Sequence, residues 1–218
     1  LKDQNLVLEE KVRERTRELM ETRLEIIHRL GQAAEYRDKG TGLHLLRISC
    51  YSACLARTAK LPLEMHDIIL ASSPMHDIGK IGIPDSILLK KGRLSAAEWE
   101  IMKTHTTIGA ELLKGHESSL MKVASAIALT HHERWDGQGY PQGMKGEEIP
   151  LAGRIVALSD VLDALLSDRS YKKSWPMEKA LNEIDSLRGK AFDPGLVDTL
   201  HEALPEIRDI LHGVESKT

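Results

Sequence analysis

Leu151-Ala-Gly-Arg-Ile-Val-Ala-Leu-Ser-Asp160-Val-Leu-Asp163-Ala-Leu-Leu166 decides the fold class. Its apolar residues recur at helical spacing, and residues 121–132 do the same. Working outward, helix signals follow one another. Pro62 stands at the first position of a helix carrying Leu63, Ile68 and Ile69. Ser95-Ala-Ala-Glu98 reads as a capping box opening a helix through Leu113. Trp175-Pro176 opens another, and Asp193-Pro194 opens a last one to about Leu211. Only the stretch from Asp136 to Pro150, with Gly137, Gly139, Gly143 and Gly146, lacks helical character. It reads as a long loop with room for a short hairpin. There is no internal repeat and no alternation of strand and helix. The expected class is all-α, a helical bundle.

Residues 1–34 are polar and charged, with Leu1, Leu8, Val12, Leu19 and Ile26 at heptad-like positions and Asn5, Arg15 and Thr22 filling the others. This reads as a long helix with a broken heptad. It is either a solvated helix packed on the domain or one strand of a parallel dimeric coil. The chain opens on Leu1 rather than Met and reads as a piece of a longer protein.

The chain has 218 residues, 41% hydrophobic and 29% charged, enough for a core and against wholesale disorder. The net charge of −3, with acidic and basic residues interspersed, argues against nucleic-acid binding. No apolar run approaches the ~18 residues of a membrane span. Cys50 and Cys54, one helical turn apart, read as reduced core thiols and point to the cytoplasm.

The unusual residue is histidine, ten of them against a single Phe. A His-Asp dipeptide occurs at His66-Asp67 and at His76-Asp77, so the dipeptide alone carries little. The first lies inside an amphipathic helix and reads as a solvated face. The second ends an apolar helix and runs into Ile78-Gly79-Lys80, a turn open to a ligand. His131 and His132 are adjacent, and both reach one metal only if it sits between their directions. His44 and His105 are single histidines in ordinary helices. Asp160 and Asp163 sit in an apolar helix, where a carboxylate is costly unless paired or metal-bound. Five histidines and two aspartates on separate segments suit two divalent ions with one bridging carboxylate. Such a site holds a bridging hydroxide, and its natural task is in-line attack on phosphorus.

His76-Asp77-Ile-Gly-Lys80, followed by His131-His132-Glu133-Arg-Trp-Asp136-Gly137-Gln-Gly139-Tyr140-Pro141, resembles the HD-GYP family of the HD hydrolase superfamily. The resemblance runs from about Glu35 to Leu204. It implies an HD-type helical bundle over 35–218 behind a linker helix over 1–34. It implies a phosphodiesterase that hydrolyses cyclic di-GMP. His44, His76, Asp77, His105, His131, His132 and Asp160 would hold two divalent ions, with Asp77 bridging. Iron is favoured by the resemblance, while manganese, nickel and zinc also suit such ligands. Lys80 would meet the scissile phosphate. Arg169 and Lys172 would contact substrate phosphate, and Tyr140 would line the pocket or serve structure. The first helix resembles the linker that follows a receiver domain in response regulators, which implies an upstream receiver and a homodimer.

One departure matters. Relatives with three metals carry Glu four residues before the first ligand histidine, and here that position is Gly40. Glu35 lies nine residues before His44 and by spacing is no substitute. The expectation is therefore two metals and mainly the linear product pGpG. The competing reading is a non-catalytic nucleotide-binding or interaction module of the same fold.

Overall fold

The structure, a computed structural model, describes residues 2–36, 42–115, 117–168 and 173–215. It consists of helices α1 (Lys2–Glu35), α2 (Gly42–Thr58), α3 (Leu63–Ser72), α4 (Asp85–Leu88), α5 (Ala96–Lys103), α6 (His105–Leu112), α7 (Ser119–Thr130), α8 (Leu151–Leu166), α9 (Met177–Ser186) and α10 (Pro194–Glu215). Among the described residues no strand forms, and Arg188 and Phe192 make an isolated bridge. The all-α expectation holds.

The main core lies between α2, α8 and α10, closed by α3, α7 and α9. Ile48, Leu55, Ile155, Leu158, Leu162, Ile184 and Leu200 are fully buried there. Each such side chain contributes about 1.5–3 kcal/mol on leaving water. A smaller cluster joins α1 through Ile27 to Met75, Leu120, Ala124 and Ala128. It seats the C-terminal part of α1 beside the turn that carries His76.

Four local expectations need correction. The helix opened by Ser95 is two helices, because Thr104 interrupts it. The Thr104 hydroxyl donates to Ile101 O at 2.6 Å and its backbone N–H donates to the same carbonyl, a local pairing that competes with the helix. The capping box itself is present. No hairpin forms in 136–150. That segment is turns and a short 3₁₀ helix, Gly146–Glu148, because the Glu133 carboxylate takes the N–H groups of Gln142 and Met144 that a hairpin would use. Pro62 caps α3 one residue before its first turn, and α10 extends past Leu211 to Glu215.

Two residues bring the chemistry together. Pro74 cannot continue α3, so the chain turns through a 3₁₀ segment, Ser73–Met75, that presents His76 and Asp77. Gly79 then lets the next segment, Ile78–Gly82, press against α6. A Cβ at Gly79 would stand 1.9 Å from His105 O. Only glycine permits this approach, and it sets Asp77 beside His105.

Candidate metal centre

The five expected histidines converge. Ring centroids are 6.2 Å apart for His44 and His76, 5.2 Å for His76 and His131, 5.5 Å for His105 and His131, and 4.1 Å for His131 and His132. His76, His105 and His131 are almost fully buried.

Four of these rings are oriented from behind. His76 Nδ1 donates to Ser73 O at 2.9 Å, and His105 Nδ1 to Met102 O at 2.7 Å. His131 Nδ1 donates to Ile127 O and Ala128 O, both at 3.1 Å. Each carbonyl lies three or four residues earlier, one turn back along the same stretch of chain, and two of them, Ser73 O and Ile127 O, also accept the backbone N–H of the histidine they orient. His44 Nδ1 instead meets Asp163 Oδ2 at 2.6 Å. Nδ1 is therefore used and Nε2 faces inward, the arrangement of metal-ligating histidines.

Asp77 lies at the centre. Its Oδ1 is 3.3 Å from His105 Nε2 and 3.6 Å from His131 Nε2. Its Oδ2 is 3.4 Å from His76 Nε2 and 2.8 Å from Lys80 Nζ. The two oxygens thus address different neighbours. Asp160 Oδ1 stands 3.7 Å from His44 Nε2. Candidate donor atoms fall into two groups, each within 4.8 Å. One is Asp77, His105, His131 and His132, and the other is Glu35, His44 and His76.

Electrostatics bear on what fits there. Burial works against the charged form of Asp77, but Lys80 and His76 outweigh it and hold the carboxyl well below its ordinary value. Burial also opposes charge on His76, yet the Asp77 carboxylate outweighs it and raises the ring to about 9. Burial lowers His105 to about 4 and pushes His132 well down. Neutral His105, its Nδ1–H given to Met102, directs an Nε2 lone pair at the ionised Asp77 Oδ1. Neither atom has a hydrogen-bond partner, nor does His131 Nε2. Two buried acceptors facing each other without a proton are unfavourable. A cation between them resolves the conflict, and nitrogen and oxygen donors suit a first-row divalent ion. The residues fit a metal.

Tyr140 stacks on His132, with centroids 4.8 Å apart and planes at 27°. Burial pushes its hydroxyl pKa up. Its loop is pinned by Glu133, which is itself buried. Arg169, Lys172 and Gly40 lie outside the described residues.

Three residues escaped the sequence reading. Asp163 was noticed but not placed. It is 1% exposed at its side chain and receives both His44 and Arg47, whose Nη2 lies 3.2 Å from Oδ2. Arg47 carried no signal beyond a charge in an apolar helix. Glu35, which spacing alone keeps apart from His44, is brought beside it by the fold. It ends α1, is buried, and brings Oε1 to 3.7 Å from His44 Nε2. Residues nine apart in sequence meet because α1 ends and α2 starts anew between them. Burial raises the Glu35 carboxyl above its ordinary value.

This bundle, with its His-Asp cluster, is that of a metal-dependent hydrolase fold: residues 14–196 match the HD domain, and the chain belongs to that family. The chain is 45% identical over 210 residues to the cyclic di-GMP phosphodiesterase response regulator RpfG of Xanthomonas campestris, covering 96% of this chain and 56% of that protein. It is 43% identical over 210 residues to a cyclic di-GMP phosphodiesterase of Thermotoga maritima, covering 96% and 57%. It is 45% identical over 185 residues to a 3'3'-cGAMP-specific phosphodiesterase 2 of Vibrio cholerae, covering 85% and 35%. The chain therefore spans about half the length, or less, of these relatives. A cyclic GMP-AMP specific phosphodiesterase from V. cholerae superposes with a TM-score of 0.66 at 23% identity, covering 88% of this chain and 50% of that one. An HDGYP protein from Bdellovibrio bacteriovorus gives 0.59 at 18% identity, covering 85% and 64%. Both solved structures share the fold, and the HD-GYP resemblance is met. Among the described residues no helix is long and apolar enough to cross a membrane.

Proposed function

We propose that this chain is a metal-dependent phosphodiesterase that opens cyclic di-GMP, mainly to linear pGpG. The observation that carries the reading is the contact between His105 Nε2 and Asp77 Oδ1, two buried atoms without hydrogen-bond partners at 3.3 Å, which a bound cation reconciles. Relatives named for cyclic di-GMP phosphodiesterase activity supply the substrate.

In this reading His44, His76, Asp77, His105, His131, His132 and Asp160 hold two divalent ions, iron in the first instance, with Asp77 shared between them. Bound ions would supply Lewis acidity and a water of lowered pKa at neutral pH. The carbonyls of Ser73, Met102, Ile127 and Ala128 fix the imidazoles so that no reorientation is needed on binding. Lys80, beside Asp77, swings to a phosphate oxygen and stabilises charge developing there. Tyr140, stacked on His132, lines the site. Arg169 and Lys172 contact the substrate's other phosphate. Gly40 offers no carboxylate for a third ion, which limits the second cleavage.

Residues 1–34 act as a connecting helix ahead of the hydrolase domain at 35–218, downstream of a receiver. They form a parallel homodimer. From Val7 to Arg23 every α1 residue is exposed, including Leu8, Val12 and Leu19 at 58–70%. That apolar stripe suits a second copy.

The test is metal analysis of protein purified without chelator, joined to product analysis with cyclic di-GMP and 3'3'-cGAMP. About two ions per chain and accumulation of pGpG are expected, both lost in Asp77→Ala. At most one ion after loading with excess Fe²⁺ or Mn²⁺, or near-normal turnover in Asp77→Ala, would sink the reading.

A further inference from the structure

We propose that Glu35, the last residue of α1, is itself a metal ligand and completes the position formed by His44 and His76. The inference rests on the metal-centre reading above and adds to it a ligand from outside the hydrolase core.

The geometry is specific. Glu35 is 4% exposed, and its Oε2 has no hydrogen-bond partner. Its Oε1 is 3.7 Å from His44 Nε2, too long for a hydrogen bond. His44 already gives Nδ1 to Asp163, so Nε2 is the ring atom that faces Glu35. His76 likewise has Nδ1 taken, by Ser73 O, which leaves Nε2 turned into the cluster. The three donor atoms lie within 4.8 Å of one another. Ligands about 2.1 Å from one ion stand roughly 3–4 Å apart, so a small contraction closes this set on a cation.

The location of the carboxylate is otherwise costly on two counts. It is buried, and it sits at the C-terminus of a helix, where free carbonyls already carry partial negative charge. The last turn of α1 holds no basic residue, so the groups that offset the charge, His44, His76 and Lys80, all come from other segments. A cation held with His44 and His76 offsets both costs.

The consequence is that one metal position depends on how α1 is seated. α1 packs against α2, which carries His44, and against the Ser73–Met75 and Ile78–Gly82 segments on either side of His76 and Asp77. A displacement of α1 withdraws a ligand from the position formed by His44 and His76.

Glu35→Gln keeps the shape and removes the charge. The purified full chain is titrated with Mn²⁺ alone against a competing chelator, with helicity checked by circular dichroism. Wild type binds about two ions. Glu35→Gln is expected to bind one with unchanged affinity and the second at least 10- to 100-fold more weakly. Glu35→Asp, which keeps the carboxylate, recovers part of the loss. Two ions bound with wild-type affinity in both folded variants overturn the assignment and leave the metal centre standing. A wild-type chain that binds no metal overturns the metal-centre reading, and this one with it.

Discussion

Asp163→Ala tests how the cluster is held. The Asp163 side chain is 1% exposed and sits between His44 Nδ1, at 2.6 Å, and the Arg47 guanidinium, whose own side chain is 8% exposed. Removing the carboxylate leaves a buried positive charge without its main counter-ion, which typically costs 3–5 kcal/mol. Arg47 keeps its 2.7 Å bond to Ser167 Oγ, so about 3 kcal/mol is expected here. That is a large part of the roughly 5–15 kcal/mol that holds a domain together. The second effect is on metal. His44 loses the partner that fixes its ring, which should weaken its ion 10- to 100-fold. Urea unfolding of the metal-free chain reads the first effect, and chelator competition reads the second. The double variant Arg47→Met/Asp163→Leu separates them. It removes both charges, so stability should largely return while metal affinity does not. The pH dependence has a definite sign. Burial would raise the Asp163 carboxyl, but bonds from His44 and Arg47 outweigh it and depress it below its ordinary value. Its contribution is therefore complete at neutral pH and lost as pH falls below about 4. A single Asp163→Ala variant less than about 1 kcal/mol weaker than wild type, with metal affinity unchanged, would refute this account of the cluster.

Lys80→Ala should lower turnover by roughly 10²–10³ while metal content stays at the wild-type value, and metal loss would reassign Lys80 to structure. Arg15→Leu should tighten a dimer formed through α1, and deletion of residues 1–30 should weaken it. A monomer by light scattering in both the intact and Arg15→Leu chains would remove the coil. Gly31→Ala should destabilise by about 1–3 kcal/mol, because its Cβ would stand 2.7 Å from Pro74 O and 3.0 Å from Leu45. Thermal unfolding checks this, and an unchanged midpoint would mean that α1 does not seat tightly there.

Much of this was legible because helix signals are local. Pro62, the Ser95–Glu98 box and Pro176 mark their helices within a residue or two. The break at Thr104 was not legible, since a threonine side chain bonding its own helix carbonyl leaves no pattern in the apolar spacing. The histidines were found because imidazole in apolar sequence needs a reason. Asp163 and Asp160 could not be told apart by composition, lying on one helix three residues apart, and only packing shows that Asp163 stands behind His44. Glu35 was missed for a different reason. The four-residue rule for a shared helix face holds only inside one helix, and Glu35 and His44 belong to two.

The break between α1 and α2 also bears on what α1 is for. From Val7 to Arg23 the helix touches no core, and its ion pairs, such as Arg15–Glu18 and Arg17–Glu21, are exposed and worth a few tenths of a kcal/mol each. An isolated stretch of this kind is marginal as a helix in water. Its exposed apolar residues supply what is missing only when another surface covers them. From Ile27 onward the same helix is clamped, through Ile27, Gly31, Ala34 and Glu35, to the segments that present the histidines. A continuous helix of 34 residues is about 51 Å long at 1.5 Å per residue. It has no internal proline to absorb a twist. Whatever covers the exposed half therefore acts on the clamped half as one rigid rod, and the residue at the end of that rod is the carboxylate facing His44.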